Sequence, residues 1–363
     1  MLFSLSYQTP LSKFGLKGEN NMPVTIVDIA KEAGCSAATV SLVMKNSPKI
    51  KSSTKQRVME IANRLGYTPN FAARSLINGQ TNLIGAILPN LDNPLFATMV
   101  SGVEKKASEL GYSIILGISS QSLEKEKQYM QMLSERRVDG LLLFPSFLDE
   151  LFPAFIEQQN DKKIPVVLCG TSGHMNTDIS YVKCDNHMGA YIAIEHLIKI
   201  GKKRIACLCA VIDRSQANSR ISGYRDALEF YDVKEENDLI IFCSQAPEDI
   251  ARATEKLVTE KKVDAIFCLY DHMSITVMRT VQQLGKRIPE DIAIVGYDNI
   301  SVSALLPISL TTIDTHATRI GSMATELLIK KIREPNTENR QISLKPVLVV
   351  RESTVSGMPR ADD

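Results

Sequence analysis

From residue 82 onward, short runs of β-branched and aliphatic residues alternate with longer segments of helical periodicity. Four such runs come first and four similar ones follow: LIGAILP, YSIILG, VDGLLLF and IPVVLCG, then RIACLCA, DLIIFC, VDAIFCL and DIAIVGY. Repeated strand–helix–strand order predicts parallel sheets that are covered by helices on both faces. The two sets of four predict two similar α/β lobes, and the cleft between them is the expected ligand site.

A basic segment precedes this body. Residues 22–80 contain 8 Lys and Arg against 3 Asp and Glu, whereas residues 81–363 contain 32 against 37. The formal net charge of +1 for the whole chain hides this division. A small basic head on a mildly acidic body indicates that a polyanion binds the head only.

Cysteine usage and hydropathy indicate the cellular compartment in which the protein works. The seven cysteines form no C-x-x-C pair and mostly lie in apolar runs such as IACLCA, which indicates buried thiols in a reducing cytosol. No apolar run approaches the ~18 residues that cross a bilayer. Residues 1–21 make a poor signal peptide, because no basic residue precedes their short apolar part. We therefore expect a cytoplasmic protein without membrane contact. Residues 1–21 are expected to be a disordered extension, or the translation start has been placed too far upstream.

Residues 24–44, VTIVDIAKEAGCSAATVSLVM, predict two short helices joined by a tight turn. Thr25 is positioned to cap the first helix, with Asp28 three residues later in a capping-box arrangement. Gly34 is expected to end this helix, because glycine turns the chain there without strain. Ser36 is positioned to cap the second helix.

The second helix offers little to a protein core, since its inward residues are Val40 and Val43 and its first turn is made of small residues. A helix-turn-helix explains this composition, because its second helix lies in the DNA major groove and needs a small or polar outer face. The alternative is a small helical bundle packed on the α/β body.

Longer stretches carry a more specific resemblance. VTIVDIAKEAGCSAATVSLVM and RVMEIANRLGYTPNFAARSL resemble the head of the LacI/GalR (lactose-repressor) family of bacterial transcription regulators. The resemblance continues through NLIGAILPNLDNPLFATMVSGVEKKASELGY, RVDGLLLF, RISGYRDAL, IPEDIAIVGYDN and SLTTI, and it covers roughly residues 23–355. It implies a homodimeric transcriptional repressor that binds a pseudo-palindromic operator in double-stranded DNA and is controlled by a small-molecule effector.

The resemblance also implies a domain order: a helix-turn-helix DNA-binding domain at 22–69, a hinge helix at 70–80, and an effector-binding and dimerisation domain at 81–358. The last is expected to have the two-lobed α/β fold of type I periplasmic binding proteins, with parallel sheets. Lobe 1 is expected at about 81–184 plus 313–342, and lobe 2 at about 185–312 plus 343–358.

On the DNA side, Ala37 and Ala38 match the family's main base-reading positions, where a short side chain can contact a thymine methyl but cannot make bidentate hydrogen bonds. Thr39 and Ser41 match phosphate contacts. Leu42 departs from the family pattern, which has Arg or sometimes His, so the operator is expected to differ at that base pair. Further implied DNA contacts are Thr25, Asn46, Lys49 and Thr54, with Asn70, Ala73 and the minor-groove wedge Leu76 in the hinge.

On the effector side, Asp298 in GYDN follows a predicted strand, where its carboxylate can accept hydrogen bonds from hydroxyls or an amine. Arg220 in NSRISGY matches an arginine that meets effector oxygens, and we expect these two residues on facing sides of the cleft. The alternatives are that Arg220 is a structural ion-pair partner, that Asp298 caps a turn and that Phe96 is ordinary core. The remaining implied effector positions are Leu95, Phe96, Arg214, Gln216, Gln245, Tyr270 and Asp271.

Two departures keep the effector class open. Tyr270 stands where sugar-binding members often carry Asn, and Gln245 stands where several members place an aromatic residue, so a sugar is only the default. Among rival functions, an NAD-type enzyme needs G-x-G-x-x-G after the first strand, but that turn reads LPNLDNPLF. A soluble ligand-binding protein without a DNA role does not need the basic head. We expect no catalytic residue, cofactor or metal.

Overall fold

The computed structural model describes residues 24–44, 47–67, 80–135, 138–145, 164–170, 179–210 and 214–356. The chain divides into two compact units, Met1–Gly79 and Gln80–Asp363, and each has a hydrophobic core of its own. No helix in the described ranges is long and apolar enough to cross a membrane.

In the first unit, the described residues form helices α1 (Ile26–Ala33), α2 (Ala37–Met44) and α3 (Ser52–Arg64). The predicted capping box is present: the Thr25 N–H donates to the Asp28 carboxylate at 2.8 Å, and the Thr25 hydroxyl oxygen accepts the Asp28 N–H at 3.4 Å. Gly34 ends α1 with φ 61°, as its position in the sequence predicts. The core of this unit is built from short aliphatic side chains: Ile29, Ala30, Ala33, Val40, Val43, Val58, Ile61 and Ala62.

The second unit contains two parallel α/β sheets. The strands are β1 Leu83–Leu88, β2 Ser113–Ile118, β3 Gly140–Leu143, β4 Val166–Cys169, β5 Ser180–Cys184, β6 Ile205–Ala210, β7 Ile240–Cys243, β8 Ala265–Cys268, β9 Ala293–Asp298, β10 Thr311–Asp314, β11 Gln341–Leu344 and β12 Val347–Val349. The first sheet has strand order β11-β5-β4-β3-β1-β2 and the second β12-β10-β9-β8-β6-β7, and among the described strands only the β10–β12 pair is antiparallel. The helices are α4 Pro94–Glu109, α5 Leu123–Glu135, α6 Asn186–Lys199, α7 Arg214–Phe230, α8 Pro247–Thr259, α9 Asp271–Gln283 and α10 Ala317–Arg333, with short 3-10 turns at Asn237–Leu239 and Ser301–Ala304.

All eight predicted strands are present, and within the described residues each sheet has six strands because four more join them; three of these four, β5, β10 and β11, contain polar residues. Strand β5 reads SYVKC and buries every second residue, so its polar residues interrupt the hydrophobic signal. Strand β10 reads TTID and is buried although two of its residues are threonines. The Thr312 hydroxyl donates to a buried carboxylate of Asp271 at 2.6 Å, which explains how a polar strand is tolerated in the core.

The chain crosses between the two lobes three times. Strand β5 belongs to the first sheet and β6 to the second; β10 returns the chain from the second sheet to α10 and β11, and β12 lies in the second sheet again. The second and third crossings therefore fall after Asp314 and Leu344, two residues beyond the expected boundaries at 312 and 342.

Helices α4 and α10 of the first lobe approach each other very closely. A Cβ added at Gly102 would lie 2.1 Å from the backbone oxygen of Thr318, and one at Gly321 would lie 2.1 Å from that of Met99. Only glycine fits at this crossing. The Asn93 side chain caps the N-terminal end of α4, ahead of Pro94 at its first position.

Candidate effector cavity and DNA-reading helix

Helix α2 of the head buries one narrow side. Val40 and Val43 are buried among the residues of α1 and α3. The helix begins after Ser36, whose hydroxyl oxygen accepts the Thr39 N–H at 3.1 Å and lies 2.9 Å from the Thr39 hydroxyl. This cap fixes the start of α2 after the Gly34 turn, in the order that a helix-turn-helix requires.

The opposite side of α2 is small and accessible. Ala37 and Ala38 are exposed, Leu42 is 38% exposed, and Thr39 and Ser41 are half-buried. A leucine this exposed on a helix that already has a buried side is available to a partner surface. The side chains that the sequence assigned to DNA therefore share one face of α2.

The other predicted DNA contacts are spread over the head. Lys49 is exposed, Thr54 is half-buried, and Thr25 is exposed although its hydroxyl also donates to Asp28 at 2.7 Å. The positions Asn46, Asn70, Ala73 and Leu76 lie outside the described residues.

The body contains a cavity between its two lobes. It lies at the carboxyl ends of the strands, where β1, β3, β4, β8 and β9 lead into loops, which is where ligands bind in open parallel sheets. The first lobe contributes Pro89, Asn93, Leu95, Phe96, Met99, Phe144, Pro145, Cys169, Gly170, Cys184 and Ile320; the second contributes Asn186, Gln216, Arg220, Tyr270 and Asp298, with Thr315 from the second crossing.

Arg220 and Asp298 form a buried pair in this cavity. The guanidinium Nη2 of Arg220 lies 3.4 Å from Oδ1 of Asp298, and both side chains are at most 2% exposed. Arg220 also donates through Nε to Oδ1 of Asn186 at 2.9 Å and through Nη1 to the Leu269 carbonyl. Its guanidinium stacks on the ring of Tyr297, 3.6 Å from the centroid. These contacts fix the arginine in one orientation.

Two buried oxygens of the cavity have no hydrogen-bond partner among the described residues: Oδ2 of Asp298 and the hydroxyl of Thr315. Burial raises the pKa of Asp298 to about 8, although the positive charge of Arg220 opposes that rise. A buried acceptor without a donor is unfavourable in the free protein, and a ligand hydroxyl or N–H would satisfy it.

The first-lobe wall of the cavity is apolar. The rings of Phe96 and Phe144 meet edge to face, with centroids 6.4 Å apart. Cys169 and Cys184 are buried beside them, and burial raises the pKa of the Cys184 thiol to about 12, so this side chain stays protonated. An apolar wall opposite a charged pair suits a ligand with one hydrophobic face and one edge of donors.

One expectation about this cavity is wrong. Arg220 and Asp298 do not face each other across the cleft, because Arg220 lies on α7 and Asp298 ends β9, both in the second lobe. The facing lobe instead presents Leu95 and Phe96 at the start of α4. Arg220 therefore does both: it forms an ion pair, as the structural alternative predicts, and it lines the cavity.

The other predicted effector residues divide into two groups. Leu95, Phe96, Gln216 and Tyr270 line the cavity, and Nε2 of Gln216 donates to the Gly170 carbonyl of the opposite lobe at 3.1 Å. Asp271 and Gln245 do not line it: the carboxylate of Asp271 is occupied by three donors inside the second lobe, and Gln245 precedes α8. The side chain of Arg214 lies outside the described residues.

Sequence reasoning missed Asn186, Phe144 and Thr315. Each directly follows or closely follows a strand, but only Phe144 belongs to one of the eight apolar runs. Asn186 and Thr315 come after β5 and β10, the strands that the sequence did not reveal. In the portion of the chain described by the structure, no three His, Cys, Asp or Glu side chains are arranged to hold a metal ion, and all seven cysteines are free thiols.

Comparison with known proteins assigns both units. Residues 25–70 match the model of bacterial regulatory proteins of the lacI family, and residues 81–350 match that of periplasmic binding proteins and the sugar binding domain of the LacI family. The chain belongs to the LacI family. As a member, it is a DNA-binding transcriptional regulator with a helix-turn-helix head and a type I periplasmic-binding-like effector domain, and it binds operator DNA as a repressor.

Relatives of this LacI-family chain match it over nearly their full length. The repressor PurR of Aliivibrio salmonicida is 35% identical over 331 residues, which are 91% of this chain and 98% of that protein. The ribose operon repressor of Halalkalibacterium halodurans is 31% identical over 334 residues, 92% of this chain and 98% of that protein. These relatives are transcriptional regulators.

Solved structures agree with the fold. The CelR–cellobiose complex has a TM-score of 0.68 at 28% identity and covers 91% of this chain and 99% of its own. A LacI family regulator from Enterococcus faecium with bound ribose has a TM-score of 0.68 at 26% identity, over 76% of this chain and 100% of its own. The lac repressor dimer bound to operator and the anti-inducer ONPF has a TM-score of 0.82 at 24% identity, over 92% of this chain and 100% of its own, and supports the fold.

Proposed function

We propose that the effector of this repressor is a small, uncharged, hydroxyl-rich molecule of the sugar class. The observation that carries the proposal is Oδ2 of Asp298, which is buried in the cavity without a partner in the described part of the chain. A sugar hydroxyl donates to such an oxygen, and its C–H face packs on the apolar wall at Phe96. The ribose and cellobiose complexes among the similar structures support this class.

Arg220 would hold the other edge of the ligand. A guanidinium has five N–H donors, and the contacts to Asn186, Leu269 and Asp298 use three of them. The remaining donors, with the unpartnered hydroxyl of Thr315, would bind ring or hydroxyl oxygens. Donors and acceptors then lie side by side, as a sugar's hydroxyls require.

A second class is a flat heterocycle that carries N–H donors. Phe96, Phe144 and Tyr270 give the cavity three aromatic rings, and the Tyr270 ring lies 4.8 Å from the guanidinium of Arg220. A nucleobase would present N–H groups to Asp298 as effectively as a sugar presents hydroxyls. It would place its π-face, rather than C–H groups, on the aromatic wall.

Calorimetric titration of the full chain separates these classes. D-ribose, cellobiose and a panel of other mono- and disaccharides are compared with a panel of nucleobases, and Asp298→Asn serves as the isosteric control. Saturable binding of a sugar that Asp298→Asn weakens at least about tenfold is expected, because the amide NH₂ that takes the place of Oδ2 cannot accept a hydrogen bond from a sugar hydroxyl. Binding of nucleobases alone would replace the sugar class by the second one. Sugar binding that is equal in both proteins would remove Asp298 from the site.

For DNA, we propose that Ala37, Ala38 and Leu42 contact base edges and that Thr39 and Ser41 contact phosphates. Their common face on α2 supports this assignment. With no bidentate side chain among the three base-contacting residues, specificity would rest on methyl contacts and on DNA shape. Selection of bound sequences from random DNA tests it: sites without thymine at the positions facing α2 would contradict the assignment.

We further propose that a second copy of the chain pairs along the outer strands of both sheets. The edge strands β2 and β7 expose Leu116 and Phe242, the latter at 57%, and apolar side chains on open strand edges are poorly suited to water.

In such a dimer, the effector changes operator affinity only if the effector binds two arrangements of the lobes with unequal affinity. We expect the effector to lower operator affinity and release the DNA, and band-shift titration with and without the bound sugar measures this change.

We propose that the chain acts in the cytoplasm by binding alone, without catalysis.

A further inference from the structure

Asp271 is a fully buried carboxylate that does not reach the cavity. Its Oδ2 accepts the Ile300 N–H at 3.0 Å and the Ser303 hydroxyl at 2.7 Å, and its Oδ1 accepts the Thr312 hydroxyl at 2.6 Å. Strand β9 leaves room for it, because a Cβ at Gly296 would lie 2.2 Å from Oδ1. Three donors on one buried carboxylate indicate that this group holds a segment of chain in place.

The segment that it holds is strained. Asp298 has φ 112° and Asn299 has φ 53°, values that residues with a Cβ rarely adopt. Such a backbone persists only where the surroundings impose it. Here Ile300 is fixed by Asp271, and Oδ1 of Asn299 accepts a hydrogen bond from Nη2 of Arg351 at 2.8 Å. The strained backbone at Asp298 and Asn299 therefore sets the orientation of the Asp298 side chain.

The same segment also packs against the other lobe. Asp298 is the last residue of β9 in the second sheet, whereas Ile300 is 3% exposed and belongs to the hydrophobic core of the first lobe, with Val103, Ala317 and Ile320. One residue, Asn299, therefore separates the cavity carboxylate from a side chain anchored in the opposite lobe. A shift of Asp298 would therefore act on the first lobe through this short connection.

We propose that Asp271 is a positioning residue that holds the 298–300 corner in its strained form, directs Oδ2 of Asp298 into the cavity and ties it to the first-lobe core. The effector part of this proposal rests on the function proposed above for Asp298. Removal of the carboxylate releases the corner. An asparagine keeps it, since its amide oxygen accepts from Ile300 and Ser303 while its NH₂ donates to the Thr312 hydroxyl oxygen.

Hydrogen exchange of the ligand-free full chain tests the positioning directly. In Asp271→Ala, amide exchange is expected to rise by about tenfold or more within residues 298–304, because each buried donor left without an acceptor favours the open state. Asp271→Asn is expected to exchange there like the wild type. The matched control is Asp264→Ala at the other end of β8, which loses two bonds to the Lys203 and Arg204 N–H groups at 2.8 and 2.9 Å.

The control is expected to raise exchange near 203–204 and to leave 298–304 protected. Unchanged exchange at 298–304 in Asp271→Ala would overturn the proposal. So would a rise spread evenly over the second lobe, since Asp271 would then only stabilise the fold, and so would equal effects of Ala and Asn.

Ligand titration adds the functional readout. Of D-ribose and cellobiose, whichever binds the wild type is expected to bind Asp271→Asn within about twofold and Asp271→Ala at least about tenfold more weakly, as expected when a binding group loses its orienting partner. Equal affinity for both variants would overturn the link from Asp271 to the effector. If no sugar of the calorimetric panel binds the wild type, the sugar class fails, while the exchange result still decides whether Asp271 holds the corner.

Discussion

Replacement of Asp298 by Asn is expected to make the ligand-free protein more stable while it weakens effector binding. Burial raises the pKa of this carboxyl to about 8, against its usual 3.8 in an unfolded chain. Because the folded-state pKa is the higher one, the folded protein holds its proton more tightly. Stability is therefore lost as the pH rises from 3.8, and the loss is complete near pH 8.

The size of this effect follows from the linkage relation. One proton per molecule corresponds to about 1.4 kcal/mol for each pH unit. At pH 7, a pKa raised from 3.8 to 8 therefore lowers the free energy of unfolding by at most about 4 kcal/mol. Asparagine has nearly the same shape, does not titrate, and keeps an oxygen for Nη2 of Arg220. We expect a gain of about 1–3 kcal/mol at pH 7, since the amide loses part of the attraction to the guanidinium.

Urea unfolding of wild type and Asp298→Asn between pH 5 and pH 8 measures this. The difference in unfolding free energy should widen with increasing pH, with a slope of at most one proton. Asp291→Asn is a suitable control, because hydrogen bonds from Arg287 lower the pKa of that exposed carboxyl and its loss should not stabilise the protein at neutral pH. A variant that is less stable than wild type by the same amount at every pH would refute the reasoning.

Three further changes test other parts of the structure. Leu42→Arg, on the exposed face of α2, should shift selected operator half-sites toward guanine at one position, and identical selected sites for both proteins would contradict the placement of α2. Gly321→Ala should destabilise the body by about 1–3 kcal/mol in urea unfolding, because the new Cβ meets the Met99 carbonyl at 2.1 Å; Ser322→Ala next to it should change stability by less than about 0.5 kcal/mol. Phe242→Lys on the open edge of β7 should lower the dimer fraction in sedimentation at micromolar concentration without loss of the fold, and an unchanged dimer would exclude this edge.

The sequence predicted those parts of the fold that depend on continuous apolar runs. The eight runs are eight strands, and Asp298 could be placed in the cavity because it directly ends one of them. Strand β10 was not predicted because its threonines bury their hydroxyls against Thr354 and Asp271, residues that are distant in sequence. Thr315 was missed for the same reason.

Two of the expectations about the site that differ from the structure, those for Asp271 and for the placement of Arg220 opposite Asp298, have a common physical cause. Asp271 and Asp298 both lie at or just after the end of a buried strand, so their positions in the sequence predict the cavity equally well for both. Only the local backbone turn determines which of the two carboxylates faces the cavity. Likewise, Arg220 and Asp298 are 78 residues apart, and nothing in that separation reveals that α7 and β9 belong to one lobe. Side-chain direction at a strand end depends on backbone angles, such as the φ of 112° at Asp298, which the residue types do not specify.

The three crossings between the lobes have a consequence for synthesis on the ribosome. The first lobe needs α10 and β11, which end at Leu344, and the second needs β12, which ends only five residues later at Val349. Neither lobe is complete until almost the whole chain has emerged, even though the first lobe's first strand begins at Leu83. The head, in contrast, has all its core residues by position 62 and can fold long before them. A nascent chain that stalls before residue 341 would therefore carry a finished DNA-binding head on a body with two incomplete sheets.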